Sequence, residues 1–294
     1  MDCDFTISVC ICTRNRPDDL NRCLQSICDA ARMPDQVIVS DDGDDDNTVE
    51  KVAASFSFVD YQRGPRIGLG ANRNACIASV TSNLVSFIDD DVILSPTFVE
   101  DAIRVCRRLA NSETLFIVTG IEYKHTSAGV NRIEPGNPDF WGYQRLAPRG
   151  TFKAIVINSA VFPARLFTSA LFDPQLKYGS EEIDMARHAI SLGYKIFFEP
   201  ALHVDHYPSE INRGEYASFI DASRMYATAK NYWNYQQSFS MTLFYALFAP
   251  PKLVFSLGRR HGLSGVKTAI YATIKAYQYF RARQILDNGH RGRE

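Results

Sequence analysis

The chain has 294 residues, with 32 Lys and Arg against 33 Asp and Glu and an apolar fraction of 46%. That length accommodates one large domain or two small ones, and the apolar share suffices for a sizeable core. A net charge of -1 argues against a general nucleic-acid binder, and 19 Phe with 14 Tyr argue against disorder.

The charges are unevenly placed. Residues 1–50 carry twelve acids and four bases, whereas residues 252–294 carry nine bases and two acids. Such ends have different tasks. The seven cysteines all precede residue 107 and form no CxxC pair. They read as buried thiols in a reducing compartment, not as a zinc or disulfide framework. The N-terminus lacks a basic segment followed by an apolar run, so no signal peptide is expected. No apolar stretch reaches about 18 residues, so no spanning helix is expected. The expected location is the cytoplasm.

Ile7–Cys12 is a short apolar β-rich run. Pro17 opens a helix in which Leu20, Leu24 and Ile27 repeat at helical spacing. Gln36–Ser40 is a second strand that stops at Asp41-Asp42-Gly43, and Phe56–Tyr61 reads as a third. A loop with Gly64, Gly68 and Gly70 leads into a helix over 71–80. Leu84–Ile88 is a fourth strand that runs straight into Asp89-Asp90-Asp91. Pro96 opens another helix, and Leu115–Thr119 is another strand. This alternation predicts right-handed β-α-β units and a mostly parallel sheet. Residues 124–150 read as a long Gly- and Pro-rich loop. Regular structure is expected again at 153–157, with helices over 164–171 and 182–192 and a strand over 195–198. From Tyr216 to about Ile285 the pattern is helical, with a break expected at Pro250-Pro251.

In open parallel sheets ligands sit beyond the carboxyl ends of the strands. Four clusters fall there: Thr13-Arg14-Asn15-Arg16, Asp41-Asp42-Gly43, the 64–74 region and Asp89-Asp90-Asp91. No GxxxxGK[ST] run exists, which excludes a P-loop, and the glycines of the third cluster are not spaced as a dinucleotide fingerprint. Three successive acids repel one another by roughly 4 kcal/mol per close pair at an effective dielectric of 20. A divalent cation removes that cost, and oxygen ligands suit Mg²⁺ or Mn²⁺. A solvated acidic turn capping the next helix is the alternative.

The order strand–Asp41-Asp42-Gly43, then Arg73-Asn74 opening a helix, then strand–Asp89-x-Asp91, resembles the inverting glycosyltransferase family 2 with its GT-A fold. The resemblance covers roughly residues 5–206. It implies an α/β fold with a mostly parallel sheet flanked by helices; together with the helical pattern that follows, the expected domains are 1–210 and a C-terminal helical extension over 211–294. It implies that Asp42 binds the nucleotide base, that Thr13 lines base and ribose, and that Arg14, Arg73, Asn74, Asp89 and Asp90 belong to the nucleotide site. Asp91 is the implied metal ligand, joined by Asp89. Ser180-Glu181-Glu182-Ile183-Asp184 resembles the family's acidic helix start, whose second acid is the catalytic base. Glu182 stands where an Asp is usual, and Glu181 is the fallback. Pro200…Val204-Asp205-His206 resembles the family's Val-x-His ending, so His206 is implied as a metal or diphosphate contact, and His203 is a weaker candidate. Asn158-Ser159 partly matches a segment near the donor sugar and acceptor. Trp141 and Tyr143 either stack on a sugar or anchor the long loop.

The resemblance implies a single displacement. An acceptor hydroxyl attacks the anomeric carbon of a nucleotide sugar, Glu182 takes its proton, and the diphosphate leaves with help from Mn²⁺ or Mg²⁺. Asp42 suits uracil or thymine, so UDP or dTDP donors are expected, with hexosyl or deoxyhexosyl transfer to a glycan or lipid-linked glycan acceptor in surface-polysaccharide assembly. In 239–257 an apolar segment is broken by two prolines, and Lys252, Arg259, Arg260 and Lys267 lie within or just beyond it. It reads as too short to span a bilayer but suited to peripheral contact with the inner face of the cell membrane. Packing on the catalytic domain or on a second copy of the chain is the alternative. A nucleotidyltransferase on a related sheet, or a non-catalytic nucleotide-sugar or glycan-binding scaffold, are the competing functions.

Overall fold

The computed structural model describes residues 5–44, 47–148, 150, 152–209 and 219–291, with side chains of the last helix described to residue 282. Outside it lie Asp2, Cys3, Asp4, Asp45 and Asp46, the expected domain boundary near 210, the expected helix start at Tyr216, and the side chains of Arg283, Asp287, Arg291, Arg293 and Glu294.

A nine-stranded sheet forms the centre, in the order β3-β2-β1-β4-β10-β6-β11-β5, with β7 paired to β6. The first four strands in this order are β3 (Val59–Arg63), β2 (Gln36–Asp41), β1 (Ile7–Thr13) and β4 (Leu84–Asp89), all parallel. Every residue of β1 is buried, as a central parallel strand covered on both faces requires. The other side holds β10 (Ala160–Pro163), antiparallel to β4 and to β6 (Phe116–Thr126). It also holds β11 (Lys195–His206), parallel to β6, and β5 (Val92–Leu94), antiparallel to β11.

Helix α1 (Pro17–Cys28) starts at a proline whose missing N–H is no loss there. It buries Leu20, Cys23, Leu24 and Ile27, one stripe at helical spacing. Helix α4 (Phe98–Ala110) follows the same logic, with Glu100 and Asp101 in its first turn and Arg107 and Arg108 in its last, each matching the helix dipole. These two helices, with α2 (Thr48–Ala54), pack on one face of the sheet. Helices α3 (Leu69–Ser79) and α5 (Glu181–Ser191) lie on the other. Among the described residues six cysteines are free, and all but Cys28 are buried.

Several expectations need correction. The long loop is partly ordered: β7 (Gly129–Ile133) makes a hairpin with β6, and β8 (Gly136–Pro138) pairs with β9 (Gln144–Leu146). Residues 153–157 form no strand; the strand comes at β10, after a short 3-10 turn over Ile157–Ser159. The expected helix over 164–171 is only a 3-10 turn, Ala164–Thr168.

The C-terminal part is helical, as expected: α6 (Ile220–Lys230), a π-turn (Asn231–Tyr235) and α7 (Phe239–Arg291). The break falls elsewhere. Helix α7 runs through Pro250 and Pro251 and is interrupted at Gly262, which adopts φ 60° and ψ -141°. The two prolines remove donors to the carbonyls of Ala246 and Leu247, both on exposed residues. Both halves of α7 share one buried cluster with α6, including Tyr226, Tyr245, Ala249, Leu253, Ala272 and Tyr279. The segment Phe239–Ala282 is, by length and composition alone, long and apolar enough to cross a membrane, contrary to the reading from its broken apolar run.

Candidate active site

The carboxyl ends of β1, β2 and β4 open on a cleft of about 440 Å³. It is lined by Thr13, Arg14, Asp42, Asn72, Asp89, Asp90, Asp91 and His206, with Lys124, Lys177 and Tyr178 among its further walls. Seven of the residues assigned from the sequence to nucleotide or metal binding therefore meet here: Thr13, Arg14, Asp42, Asp89, Asp90, Asp91 and His206.

The two acids after β2 divide the work. Asp41 is buried and spent on structure, accepting from the Tyr61 hydroxyl (3.0 Å), Arg63 Nη1 (3.0 Å) and the Gly43 N–H (2.7 Å). Asp42 faces the cleft and accepts from the Arg66 N–H at 2.9 Å. Burial raises its carboxyl above the ordinary value. Gly64 lets the two segments approach: a Cβ there would stand 2.2 Å from Asp42 Oδ1 and 2.4 Å from Asn72 Oδ1.

The acids after β4 point three ways. Asp89 accepts from Arg73 Nη2 at 3.2 Å, while its backbone N–H donates to Asn158 Oδ1 at 2.9 Å. Asp90 turns inward to Arg16 Nη1 at 3.0 Å, and burial pushes its carboxyl up to about 7. Asp91 is nearly buried; its Oδ2 accepts from the Ser209 N–H at 2.8 Å. Its Oδ1 faces His206 Nε2 at 3.2 Å.

His206 is held from behind. Its Nδ1 lies 2.6 Å from Glu122 Oε1, and Glu122 Oε2 accepts from Asn158 Nδ2 at 3.0 Å. Burial alone would lower the imidazole, but Asp91 and Glu122 outweigh it and raise it to about 10. Asp91 shows the converse: burial raises it, yet the hydrogen bond and charge of His206 leave it below the ordinary value. A carboxylate behind an imidazole whose other nitrogen faces a second carboxylate is the usual support of a metal-binding histidine. The residues fit a divalent cation. Asp91 Oδ1 is a buried carboxylate oxygen facing His206 Nε2 at 3.2 Å, and removing the Nε2 proton would free both atoms as neighbouring ligands. Two protein ligands suit Mg²⁺ or Mn²⁺, which complete their shells with phosphate and water. Among the described residues no group of three His, Cys, Asp or Glu side chains is arranged to hold a metal.

The Thr13 hydroxyl hydrogen-bonds the Asp90 carboxylate, whereas Asn72, which also lines the cleft, carries a buried Oδ1 without a partner among the described residues. Native proteins rarely leave such atoms unpaired away from a ligand site.

The start of α5 adjoins the cleft through Arg73. Arg73 is buried, bridging Asp89 and Glu181 Oε1 (3.2 Å) with its guanidinium over the Phe172 ring. Glu181 is thereby tied down. Glu182 makes no hydrogen bond or ion pair with another described side chain; burial and the charge of Glu181 push its carboxyl up to about 8.

Several assigned residues lie elsewhere. Arg73 stands behind the cleft, because a buried guanidinium needs its two counter-charges. Asn74 pins the backbone of Phe172, donating to its carbonyl (2.8 Å) and accepting from its N–H (2.9 Å). Asn158 bonds Asp89 and Glu122 and acts on the site through them. Trp141 and Tyr143 do not line the cleft. Arg224 sits 4.0 Å from the Tyr143 ring centre and Lys252 sits 4.8 Å from that of Trp141, so both rings anchor the loop to the C-terminal helices. His203 turns to its own strand, its Nδ1 3.0 Å from the Ala201 carbonyl. Glu122, Asn72, Lys124 and Lys177 were not legible as site residues. Each stands alone among ordinary neighbours, and only Asn72, beside Arg73-Asn74, carried any signal.

Comparison with known proteins agrees with this geometry. The chain is 32% identical over 92 residues to an uncharacterised protein of Mycobacterium tuberculosis (strain CDC 1551 / Oshkosh), a match spanning 31% of this chain and 29% of that protein. Among solved structures it is similar to a crystal structure of GalNAc-T7 with UDP, GalNAc and Mn²⁺. The TM-score is 0.67 at 14% identity, covering 98% of this chain and 58% of that one. The chain thus spans less than two thirds of both proteins, and the structural likeness gives the fold, GT-A. The family model for Glycosyl transferase family 2 matches residues 8–156, about half of the chain. The cleft, its paired acids and this match together make the chain a member of glycosyl transferase family 2.

Proposed function

We propose that the protein transfers a sugar, hexosyl or deoxyhexosyl, from a nucleoside-diphosphate sugar to a hydroxyl of a glycan or lipid-linked glycan, with inversion at the anomeric carbon. The observation that carries this reading is the convergence of Thr13, Asp42, Asn72, Asp89, Asp91 and His206 on one cleft at the carboxyl ends of β1, β2 and β4, where Asn72 Oδ1 is buried without a partner among the described residues. The UDP and Mn²⁺ of the GalNAc-T7 structure support a uridine nucleotide and a divalent cation. Asp42 accepts the imide N–H of uracil or thymine, favouring UDP or dTDP, and Thr13 with Asn72 holds the nucleoside.

Asp91 and His206 hold Mn²⁺ or Mg²⁺, which when bound offsets the negative charge of the diphosphate. Glu122 fixes the ring of His206. Glu182 takes the proton of the acceptor hydroxyl as that oxygen attacks, a role suited to a carboxylate whose pKa lies near working pH. Arg73 keeps Glu181 and Asp89 in place, which leaves Glu182 as the base.

The enzyme works at the inner face of a cell membrane, in surface-polysaccharide assembly. Supporting this, α7 exposes Phe239, Leu243, Phe244, Leu247, Phe248 and Phe255, and the same helix carries Lys252, Arg259, Arg260 and Lys267.

The test is a panel of nucleotide sugars with Mn²⁺ or Mg²⁺, read by diphosphate release and by saturation-transfer NMR. A UDP or dTDP sugar should bind and turn over, and Asp91→Ala should abolish turnover. Glu182→Gln should bind donor without transferring it. Failure of every nucleotide sugar to bind would overturn the proposal. Binding without hydrolysis or transfer would leave a scaffold.

A further inference from the structure

A second cavity, of about 380 Å³, lies against the C-terminal half of α5, outside the cleft. Arg187, Asn231, Lys153, Tyr235 and Met241 are among its walls. Arg187 is only 8% exposed. Among the described residues its one hydrogen bond is from Nη1 to the Ala227 carbonyl at 3.4 Å, and no carboxylate pairs with it. Burial holds its guanidinium below the usual value. Asn231, 5% exposed, has no side-chain hydrogen bond among the described residues.

The nearby acids are already committed. Asp184 Oδ2 accepts from Lys230 Nζ at 2.6 Å. Asp139 Oδ2 pairs with Arg145 at 2.9 Å, and its Oδ1 accepts two backbone N–H groups. Among the described residues the other two buried cations each sit between two carboxylates: Arg73 between Asp89 and Glu181, Lys230 between Asp173 and Asp184. Arg187 is the exception among them, and its remaining donors border a cavity with a second base, Lys153, at the rim. A planar fork of donors left open beside a buried amide matches the oxygens of a phosphate.

The cavity also leads to an apolar surface. Phe140 in its wall contacts Phe244 (ring centres 5.5 Å), and Phe244 contacts Phe248 (4.4 Å). Phe244, Phe248 and Leu247 are exposed, and Met241 belongs to both the wall and the exposed face. We infer that this cavity binds the phosphate of an anionic lipid, with Arg187 and Asn231 on the phosphate oxygens, Lys153 at the rim, and the acyl chains along Phe244 and Phe248. The inference deepens the membrane reading above and is independent of the donor and metal site.

The test uses the full chain with three probes: short-chain phosphatidic acid below its micellar concentration, inorganic phosphate, and phosphatidylcholine vesicles with or without phosphatidic acid. Short-chain phosphatidic acid should raise the melting temperature, and vesicles containing phosphatidic acid should float more protein than phosphatidylcholine alone. Arg187→Gln should weaken phosphatidic acid binding roughly tenfold or more, the loss of a charge-assisted bond. Asn231→Asp should abolish it while raising the melting temperature of the ligand-free protein, because it supplies a counter-charge to Arg187. This second variant decides the matter should Arg187→Gln fail to fold. Equal phosphatidic acid binding by wild type and either variant overturns the inference, as does stabilisation by inorganic phosphate with none by the lipid. Arg187-dependent binding of the soluble lipid without vesicle flotation upholds the cavity and removes the membrane reading.

Discussion

Glu122 is the sharpest place to test the proposed cation site, because its carboxylate serves two donors with no oxygen to spare. Oε1 lies 2.6 Å from His206 Nδ1 and Oε2 lies 3.0 Å from Asn158 Nδ2. Glu122→Gln changes size by almost nothing but replaces one acceptor with an NH₂ group. That group must face either His206 Nδ1 or the Asn158 NH₂. Facing Asn158 sets donor against donor. Facing His206, it favours the tautomer with its proton on Nε2, the nitrogen beside Asp91. The first orientation keeps the Nδ1–H bond but loses the Asn158 bond and the negative charge behind the ring, and the second loses the Nδ1–H bond itself; such losses of outer support lower metal affinity about 10- to 100-fold, or about 1.4–2.8 kcal/mol. Mn²⁺ titration followed by electron paramagnetic resonance reads the affinity without reference to turnover. Asn158→Ala, which leaves Oε2 unpaired but Oε1 on His206, should show a smaller loss. Wild-type Mn²⁺ affinity in folded Glu122→Gln would refute the role of Glu122 and, with it, the orientation of His206.

Other consequences can be checked independently. Glu182 accepts a proton only when ionised, so kcat/KM should rise about tenfold per pH unit at low pH and level off above about 8; a plateau already reached at pH 6 would exclude Glu182 as the base. Gly64→Ala places a Cβ 2.2 Å from Asp42 Oδ1, so calorimetric affinity for the nucleotide should fall while far-UV circular dichroism stays unchanged; unaltered affinity would remove Asp42 from the nucleotide site. Lys230→Met leaves Asp173 and Asp184 buried without their cation, which should cost about 3–5 kcal/mol in urea unfolding. A cost below about 1 kcal/mol would show that the pair tolerates its own repulsion.

What could be read from the chain alone is local. Strand and helix periods repeat every two or 3.6 residues, so the first four strands, α1 and α5 were visible within a few positions of their true ends. The acids at strand ends were visible for the same reason: Asp42, Asp89 and Asp91 interrupt apolar runs. The Glu181-Glu182 pair stands out at a helix start. The sequence also supplied the order of these motifs, and with it the family and fold.

Only the tertiary structure decided which charges face the cleft. Arg73 is claimed by Glu181, 108 positions away, and His206 is steadied by Glu122, 84 positions away. Asn74, Trp141 and Tyr143 carry types that suit a ligand, yet their partners are Phe172, Lys252 and Arg224. Nothing in a local window distinguishes a polar group aimed at a ligand from one aimed at a distant segment. The same limit applied to α7, where two prolines marked the wrong break. A helix bends where packing and backbone freedom allow, and the fold placed its break at Gly262, the residue able to hold a φ of 60° at little cost.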